Sequence, residues 1–476
     1  MASFFCEVRN LNHQYDNEQD ADNGHQWLFN NDDDEQAVVH EEENNDIVMG
    51  WRGCMGSAYY YMLPLYKYIA NVNRQGRDLL TPIGASAASY TLAYVSYTYS
   101  KSEMSTIRVG LIGLSGAADY KGTAWAPNAH LPFLQRSEHF TIAALLNTSV
   151  ESAQAAIEKY SLPKDTKAYG DPQDLANDPD IDLVVCVVRV DRHFQTVRPS
   201  LEAGKIVFVE WPLDRNLEVA REMAALAAAH DAKTIVGLQA CYAPVVRKLR
   251  QLVHEGAVGR ILSSSLLGSC GNEVASESKN VRYFLDRTVG GNLMSIHVGH
   301  TLEAVNSGEF KAFTSSCAIS RPELDIVDYA DGRRVVEKSV RNTVPDQILM
   351  HGTTKTSDAF VSINLYAGKE MPGLPRLDWR IQGEKGWLRV TSPMLFLNVG
   401  TPETKLELYR SESGQVEEVK VDKDEWDTLP IPAQNIARLY EAYRKGEWYP
   451  TFDWAVRRHE LIDGMWKRFD QGIQMR

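Results

Sequence analysis

Two histidines near the middle of the chain are of a type that can move protons, and a glutamate follows them at the same spacing. His297, His300 and Glu303 follow one another at intervals of three residues in GGNLMSIHVGHTLEAV, which places them along one side of a helix. Imidazole gains and loses a proton near neutral pH, so His300 is a candidate proton relay, with His297 or the phenol of Tyr283 assisting it. Histidines packed in a core remain an alternative. A metal site is the weaker interpretation, because no further cluster of ligands follows.

A second stretch is FVEWPLD, residues 208–214, where an apolar strand ends in polar and aromatic residues. Glu210 supplies a carboxylate, and Pro212 stops the strand. Trp211 lies between them, and its indole cannot act as an acid or a base near pH 7 because it does not ionise there. The stretch predicts a pocket that an aromatic ring stacks on or closes, with no proton-transfer group at position 211.

These groups need a rigid frame, and the sequence from residue 106 onward supplies one. TIRVGLIGLSG is a buried strand that runs into a glycine turn, in which Gly113 and Gly116 are separated by Leu114 and Ser115. Such a turn lets the backbone approach a pyrophosphate at the N-terminus of a helix. The strict G-x-G-x-x-G pattern is missing, so an ordinary glycine turn stays an open alternative.

Strands and helices then alternate. Apolar strands are predicted at 140–149, 181–190, 206–213 and 234–240, and helices at 150–162, 193–205 and 217–231. This alternation predicts a parallel sheet covered on both faces, in which ligands bind at the carboxyl ends of the strands. We therefore expect nucleotide contacts from Gly113, Leu114, Ser115, Gly116, Trp125, Asn147, Thr148, Arg189, His193, Glu210, Trp211 and Gln239.

Asn147 stands where folds that prefer NAD usually place an acidic residue on the ribose hydroxyl groups. Its neutral side chain removes repulsion against a 2′-phosphate, and Thr148 and Ser149 offer hydroxyl groups to such a phosphate. No arginine follows immediately, so the preference for NADP is weak. The expected cofactor is NAD or NADP.

The second half of the chain has a different pattern of predicted secondary structure. A helix at 242–261 is followed by strands at 262–271, 311–320, 347–355, 359–368, 377–392 and 405–411, several of which alternate polar and apolar residues. This pattern predicts a large, mostly antiparallel sheet with one covered face and one face free for a homodimer. Two closing helices, NIARLYEAYRKGE and WAVRRHELIDGMWKRF, are expected to pack back on the first domain.

A helix lies between the halves, within residues 283–305. Gly290 and Gly291 precede it, and it is expected to begin within a residue or two of Asn292. His300 would then face the cleft between the domains, across from Trp211.

The composition of the chain limits the classes of protein to which it can belong. The chain has 476 residues, of which 44% are hydrophobic and 24% charged, as in globular proteins of two or three domains. No basic stripe is present, which argues against direct binding of nucleic acid. The six cysteines lack C-x-x-C spacing and favour a reducing compartment, cytoplasmic or nuclear. The most apolar stretch, residues 79–97, contains Pro82 and many hydroxyl groups and would be a poor membrane span.

The first 103 residues differ from the rest. They contain 15 acidic and 6 basic residues, with the runs NNDDDEQ and EEENND, and such sequence buries little apolar surface. We expect a disordered or spurious extension at 1–103, because Met104 followed by a strand resembles a natural start. A genuine acidic tail is the alternative. The expected domains are then 104–240 and 241–476.

Several motifs together resemble the glucose–fructose oxidoreductase, inositol dehydrogenase and rhizopine-catabolism (Gfo/Idh/MocA) family. They are VGLIGLSG, HFQTVRPSLEAGKIVFVEWPL, GAVGRI, GGNLMSIHVGHTLE and IQGEKGWLRV, and they span nearly everything after Met104. The resemblance implies an N-terminal Rossmann domain, a C-terminal α/β domain with a large open sheet, NAD(P) binding and frequent dimers.

The departures from that family concern its proton-transfer groups. Active members carry Glu-Lys-Pro where this chain has Trp211 in the middle, and an Asp-x-x-x-His helix motif in which this chain has Ile296 in place of the aspartate. Only the histidine, His300, is kept. Two of three groups are absent, and each positioned acid or base usually contributes ~10²–10⁴-fold to a rate.

One branch is more similar still: the fungal galactose-regulon repressor and its relatives, through the Glu-Trp pair, GHTLE and VPDQILMHGT. This resemblance implies a dimeric NAD(P)-binding regulator that does not bind DNA and that covers the acidic activation segment of a transcription activator. Two alternatives stay open: an NAD(P)-dependent oxidoreductase of sugars or polyols with His300 as proton relay and a sugar-like ligand, or an inactive fold with a structural nucleotide.

Overall fold

The computed structural model describes residues 26–30, 36–41, 47–51, 106–116, 124–271, 275–305 and 310–472. The chain divides into two compact units, Met1–Tyr97 and Thr98–Arg476. The first unit contains three antiparallel strands, Gln26–Asn30, Gln36–Glu41 and Ile47–Trp51. The sequence predicts no regular structure in this region, whereas the structure has these three strands. The rest of the extension, including residues 79–97, lies outside the described residues.

The Rossmann domain is built on a six-stranded parallel sheet, here called the nucleotide sheet. Its order is Lys167–Tyr169, Phe140–Leu146, Ile107–Ile112, Leu183–Cys186, Ile206–Glu210 and Thr234–Gly237. The central strands read as continuous apolar runs because helices cover both faces. The main helices are Val150–Lys159, His193–Glu202 and Leu217–Ala229. All predicted strands and helices of this domain are present.

Two short elements of this domain were not predicted from the sequence. They are the edge strand Lys167–Tyr169 and the helix Pro172–Asn177. Each is shorter than the stretch over which a hydrophobic period can be recognised, about 4–8 residues for a strand and about 11–18 for a helix.

The C-terminal domain follows the helix Pro244–His254 and contains an eight-stranded sheet, here called the large sheet. Its neighbours are antiparallel, except that Ile261–Cys270 pairs in parallel with Phe360–Ala367. The sheet is therefore mostly antiparallel, as expected. Its order is Phe310–Ala318, Gln347–Thr354, Phe360–Ala367, Ile261–Cys270, Leu377–Gly383, Gly386–Ser392, Lys405–Arg410 and Gln415–Glu418.

A second, three-stranded sheet in this domain was missed from the sequence. Its order is Ser276–Ser278, Glu323–Asp328 and Arg334–Arg341. The last strand is almost wholly exposed and rich in charge, so it lacks the alternation that identifies a half-buried strand.

Three helices connect the two domains. The segment here called the site helix opens with a π-helical turn, Leu293–His297, and continues as the α-helix Val298–Val305. Asn292 caps it by accepting a hydrogen bond from the Ser295 backbone, so the predicted start is confirmed. The two C-terminal helices are Ile431–Lys445 and Phe452–Asp470, and the latter is called the closing helix below.

The C-terminal helices return to the nucleotide sheet. The Val236 backbone N–H donates to Pro450, and that of Phe452 donates to the hydroxyl group of Thr234. Tyr440 stacks on Phe133 and Phe208. Among the described residues, no helix has the length and apolar character needed to cross a membrane.

Candidate functional site

The glycine turn follows directly from the first strand of the nucleotide sheet. Gly113 adopts φ +94°, and a Cβ atom there would lie 2.5 Å from the carbonyl oxygen of Val187. A Cβ atom on Gly116 would lie 2.8 Å from the backbone nitrogen of Ala156. Both positions therefore require glycine, the first for its conformation and the second for close packing of the turn on a helix. Residues 117–123 lie outside the described residues.

Asn147 organises this turn from the neighbouring strand. Its Nδ2 donates to the carbonyl oxygens of Leu114 at 2.8 Å and Ser152 at 3.2 Å. The hydroxyl group of Tyr160 donates to the carbonyl oxygen of Ser115 at 3.1 Å. Thr148 is exposed, and Leu114 is fully buried. Among the residues predicted to contact the nucleotide here, the backbone of the glycine turn, Asn147 and Thr148 lie at the carboxyl edge of the sheet, where a ligand can reach them.

Two predicted ligand residues that follow strand Leu183–Cys186 are already engaged. Arg189 makes a bidentate ion pair with Asp191, at 2.6 and 2.7 Å. His193 is buried, with Nδ1 3.1 Å from the carbonyl oxygens of Pro212 and Leu213 and Nε2 3.1 Å from that of Val188. His193 therefore ties Pro212 and Leu213, which follow strand Ile206–Glu210, to Val188, which follows strand Leu183–Cys186.

Glu210 belongs to a buried chain of polar groups that the sequence did not reveal. Its Oε1 lies 2.8 Å from His130 Nε2, and His130 Nδ1 lies 2.9 Å from the hydroxyl group of Tyr440. His130 and Tyr440 are fully buried, and burial raises the pKa of Tyr440 well above its usual range. Gly237 makes room for the carboxylate, since a Cβ atom there would lie 2.6 Å from Oε2.

Two predicted cofactor residues have polar atoms without a hydrogen-bond partner. Gln239 follows strand Thr234–Gly237, is fully buried, and leaves both its amide nitrogen and its amide oxygen unpaired. The indole nitrogen of Trp125 is likewise buried and unpaired. Unpaired buried polar atoms are costly and uncommon, so a bound group that pairs with them would explain both.

Trp211 is a packing residue in this structure. Only 5% of it is exposed, and its Nε1 donates to the backbone carbonyl of Ser295 at 3.0 Å. Its ring lies 4.7 Å from that of His459 on the closing helix. A Cβ atom on Gly299 would lie 2.2 Å from the indole nitrogen. The expectation of a cleft between Trp211 and the site helix is therefore wrong, because the indole lies directly on that helix.

His300 lies on the opposite face of the site helix from Trp211. Ser295 and Gly299 contact the indole, whereas His297 and His300 line a cavity. Its other walls come from two strands of the large sheet and from the segment between strands Gly386–Ser392 and Lys405–Arg410: Leu266, Leu377, Leu395, Phe396, Leu397 and Asn398. The cavity has a volume of about 10 Å³, which is room for one water molecule.

The two histidines of the site helix are held neutral. Burial lowers the pKa of His297 to about 4, and burial with the nearby His297 lowers that of His300 to about 3. The Nε2 atom of His297 lies 3.5 Å from the thiol of Cys270, whose pKa burial raises to about 12. His300 Nδ1 is buried and unpaired. In this state neither histidine takes up a proton near neutral pH.

Glu303, the third residue of the possible metal site, forms an ion pair with Arg458. Its Oε2 accepts from the Trp454 indole at 2.8 Å and lies 3.4 Å from Nε of Arg458, and both charged side chains are buried. No group of three or more potential metal ligands occurs within the described ranges. Glu303 and Arg458 therefore attach the closing helix to the site helix.

Tyr283, the second residue predicted to be catalytic, and Ile296, at the position of the family aspartate, lie on another side of the site helix from His300. Ile296, which replaces the aspartate of the helix motif, and Tyr283 both lie near Gly291, where a Cβ atom would be 3.7 Å and 3.3 Å from them. Tyr283 also contacts Phe284 edge to face. The structure brings neither of them to His300, which points to the large sheet.

Comparisons with known proteins agree with this architecture. Residues 107–238 match the family described as "Oxidoreductase family, NAD-binding Rossmann fold", and residues 244–392 match "Gal80p, C-terminal domain". The chain is 31% identical over 371 residues to dehydrogenase aclE of Aspergillus oryzae, covering 77% of this chain and 97% of that protein. Both halves of the chain thus have relatives in one family.

Two further comparisons concern regulators. The chain is 28% identical to the galactose/lactose metabolism regulatory protein GAL80 of Saccharomyces cerevisiae, over 61% of this chain and 70% of that protein. The crystal structure of a super-repressor mutant of Gal80p from the same yeast superposes with a TM-score of 0.69 and 26% identity, covering 77% of this chain and 97% of that one.

Proposed function

The chain belongs to the Gfo/Idh/MocA oxidoreductase family, and from this premise we propose that it is a nucleotide-binding regulatory protein without dehydrogenase activity. One observation carries the proposal: Trp211, at the position of the family lysine, is buried against the site helix. A side chain at that position contributes to packing and not to proton transfer.

The other proton-transfer positions support the same conclusion. Ile296 replaces the family aspartate, and His300 projects from the far side of the helix, beside a cavity for one water molecule. Since each positioned acid or base usually contributes ~10²–10⁴-fold, their joint loss removes most of the rate that such an enzyme needs.

The cofactor proposed for this chain is NAD or NADP. The glycine turn at Gly113 and Gly116 would approach the pyrophosphate, Asn147 would meet the ribose, and Gln239 would pair with the carboxamide. When bound, a nicotinamide cofactor can accept or supply a hydride. In a regulator, the same bound molecule would contribute shape and charge to the surface between the domains.

The proposed partner is the acidic activation segment of a transcription activator, bound without direct contact to DNA, in the nucleus or the cytoplasm. Similarity to two regulators named for galactose metabolism supports this choice. We also propose a homodimer through the free face of the large sheet. That face exposes four large apolar residues, which would become buried in such a contact: Leu267, Phe360, Trp387 and Val416.

A second candidate function is an oxidoreductase acting on a sugar-like ligand. It is favoured by the Aspergillus relative, which is named a dehydrogenase and is covered almost completely. In that case His300 would act as the proton relay with Tyr283, and the helix would have to rearrange to bring them together.

Nucleotide binding and hydride transfer measured on one preparation separate the two functions. We expect calorimetric binding of NAD or NADP together with no change in nicotinamide absorbance across a panel of sugars and polyols. Turnover of any compound in the panel that disappears in His300→Ala would establish the oxidoreductase instead. A partner peptide whose affinity does not change with saturating NADP would count against control of the partner by the cofactor.

A further inference from the structure

We propose that a surface next to the site helix docks an acidic segment of a partner protein, and that this segment also carries an apolar side chain. The surface, here called the tryptophan surface, consists of Arg247, Trp448, Trp454 and Arg457. The inference rests on the proposed function and deepens it, since it gives the proposed acidic partner a place of contact.

Contacts between segments that are distant in the chain bring these four side chains together. The hydroxyl group of Tyr242 donates to the backbone carbonyl of Trp448 at 2.7 Å, and the guanidinium group of Arg247 lies 5.3 Å from the centre of the Tyr242 ring. The rings of Trp448 and Trp454 meet edge to face, with centroids 5.3 Å apart. The guanidinium group of Arg457 lies 5.8 Å from the centre of the Trp454 ring. The four side chains therefore form one connected cluster.

Trp454 is the fixed part of this surface, and Trp448 is the part that a partner can reach. The indole nitrogen of Trp454 donates to Glu303 of the site helix at 2.8 Å, and the ring is partly buried. Trp448 is 53% exposed, although Tyr242 holds its backbone. A tryptophan ring has few rotatable bonds and loses little freedom when a partner covers it. Tryptophan, tyrosine and arginine are also the residues enriched where protein interfaces derive most of their binding energy.

The helix on one side of this surface is basic, although the chain as a whole is acidic. Residues 241–254 contain three Lys/Arg residues and no Asp or Glu, whereas the chain has a net charge of -13. Arg247 is exposed and forms no ion pair with a carboxylate among the described residues, including the exposed Glu447 and Asp453 at the border of the surface. An acidic segment would supply the carboxylate that Arg247 lacks, and an apolar side chain in that segment would cover Trp448.

Fluorescence anisotropy with the full-length chain and the labelled peptide Asp-Glu-Phe-Asp-Glu-Leu-Asp-Glu tests the inference. We expect saturable binding of this peptide and no binding of the same peptide with lysine in place of every acidic residue. Trp448→Ala should weaken binding by about tenfold, a typical loss when a central tryptophan of an interface is truncated. Arg247→Gln should weaken binding by roughly threefold, and this loss should shrink as ionic strength rises.

Each variant has a matched control. Met371→Ala is the control for Trp448→Ala, because Met371 is a large apolar residue that is 65% exposed on a loop. Arg198→Gln is the control for Arg247→Gln, because Arg198 is exposed, is paired with Glu202, and changes the net charge equally when substituted. We expect neither control to alter the affinity for the peptide, and thermal denaturation should show that all four variants are folded.

The outcomes separate the tryptophan surface from the proposed function. Failure of the unmodified chain to bind the peptide, or equal losses in the variants and their controls, would overturn the tryptophan surface. A change of oligomeric state in Trp448→Ala, seen by sedimentation and without peptide binding, would assign the surface to a second copy of the chain and overturn the acidic partner. Peptide binding together with turnover of a sugar would refute the regulator without dehydrogenase activity and keep the surface.

Discussion

The indole nitrogen of Trp211 donates a 3.0 Å hydrogen bond to the backbone carbonyl of Ser295, and this bond joins the end of strand Ile206–Glu210 to the site helix. One turn further along the helix, Gly299 leaves room for the ring. His459 of the closing helix contacts the ring as well. Trp211 therefore belongs to the packing between the domains, and we expect substitutions at position 211 to act as substitutions of a core residue do.

Reinstating the family lysine is expected to damage the fold rather than restore activity. Trp211→Lys removes a buried aromatic ring and places an ammonium group in the buried space between the strand end and the site helix, so the free energy of unfolding should fall by about 3–5 kcal/mol. Trp211→Phe, which loses mainly the hydrogen bond, should cost about 1–2 kcal/mol. Urea denaturation measures both. A stable lysine variant that transfers hydride would contradict the packing role.

Gly299 is expected to be intolerant of any side chain while Trp211 is present. A Cβ atom there lies 2.2 Å from the indole nitrogen, so Gly299→Ala should lower the free energy of unfolding by about 1–3 kcal/mol through overpacking. The same substitution combined with Trp211→Leu should cost much less, because the smaller side chain leaves space. A double-mutant cycle measures this coupling. Additive effects in the cycle would show that the two residues do not share the contact.

Gln239 is expected to matter for the nucleotide and not for the unliganded fold. Both of its amide atoms are buried and unpaired, so Gln239→Met should leave the melting temperature unchanged or raise it. If the amide pairs with a bound nucleotide, the same variant should weaken binding by about tenfold, the usual cost of a lost hydrogen bond in such a site. Calorimetry and thermal denaturation separate the two effects. A variant that is less stable and binds normally would refute this assignment.

The sequence predicts well what depends on local pattern. Continuous apolar runs identify the parallel strands, and the cap at Asn292 fixes the start of the site helix. It predicts poorly what depends on partners distant in the chain. Glu210 pairs with His130, 80 residues away, and no local sequence pattern indicates that these two residues meet. His300 was expected to face the cleft, and only the packing of the indole on Gly299 shows which helix face is turned away.

Three buried histidines are expected to make the fold sensitive to mild acid. Burial lowers the pKa of His297 to about 4, and it lowers that of His459 to about 3; His300, also at about 3, is lowered by burial and by His297. An unfolded histidine titrates near 6.5, so the unfolded state binds more protons between pH 6.5 and 4. The contribution of these histidines to the free energy of unfolding should therefore be constant above about pH 7 and should fall as the pH drops through that window.

His459→Phe tests the source of this pH dependence, because phenylalanine keeps a ring against Trp211 and cannot titrate. Below about pH 6, each buried neutral histidine contributes a slope of up to about 1.4 kcal/mol per pH unit, so the variant should lose part of the slope. His254→Phe is the control, since His254 is exposed at the end of helix Pro244–His254. Urea denaturation at pH 7, 6 and 5 provides the slopes. Equal slopes in the unmodified chain and the His459 variant would show that His459 does not contribute.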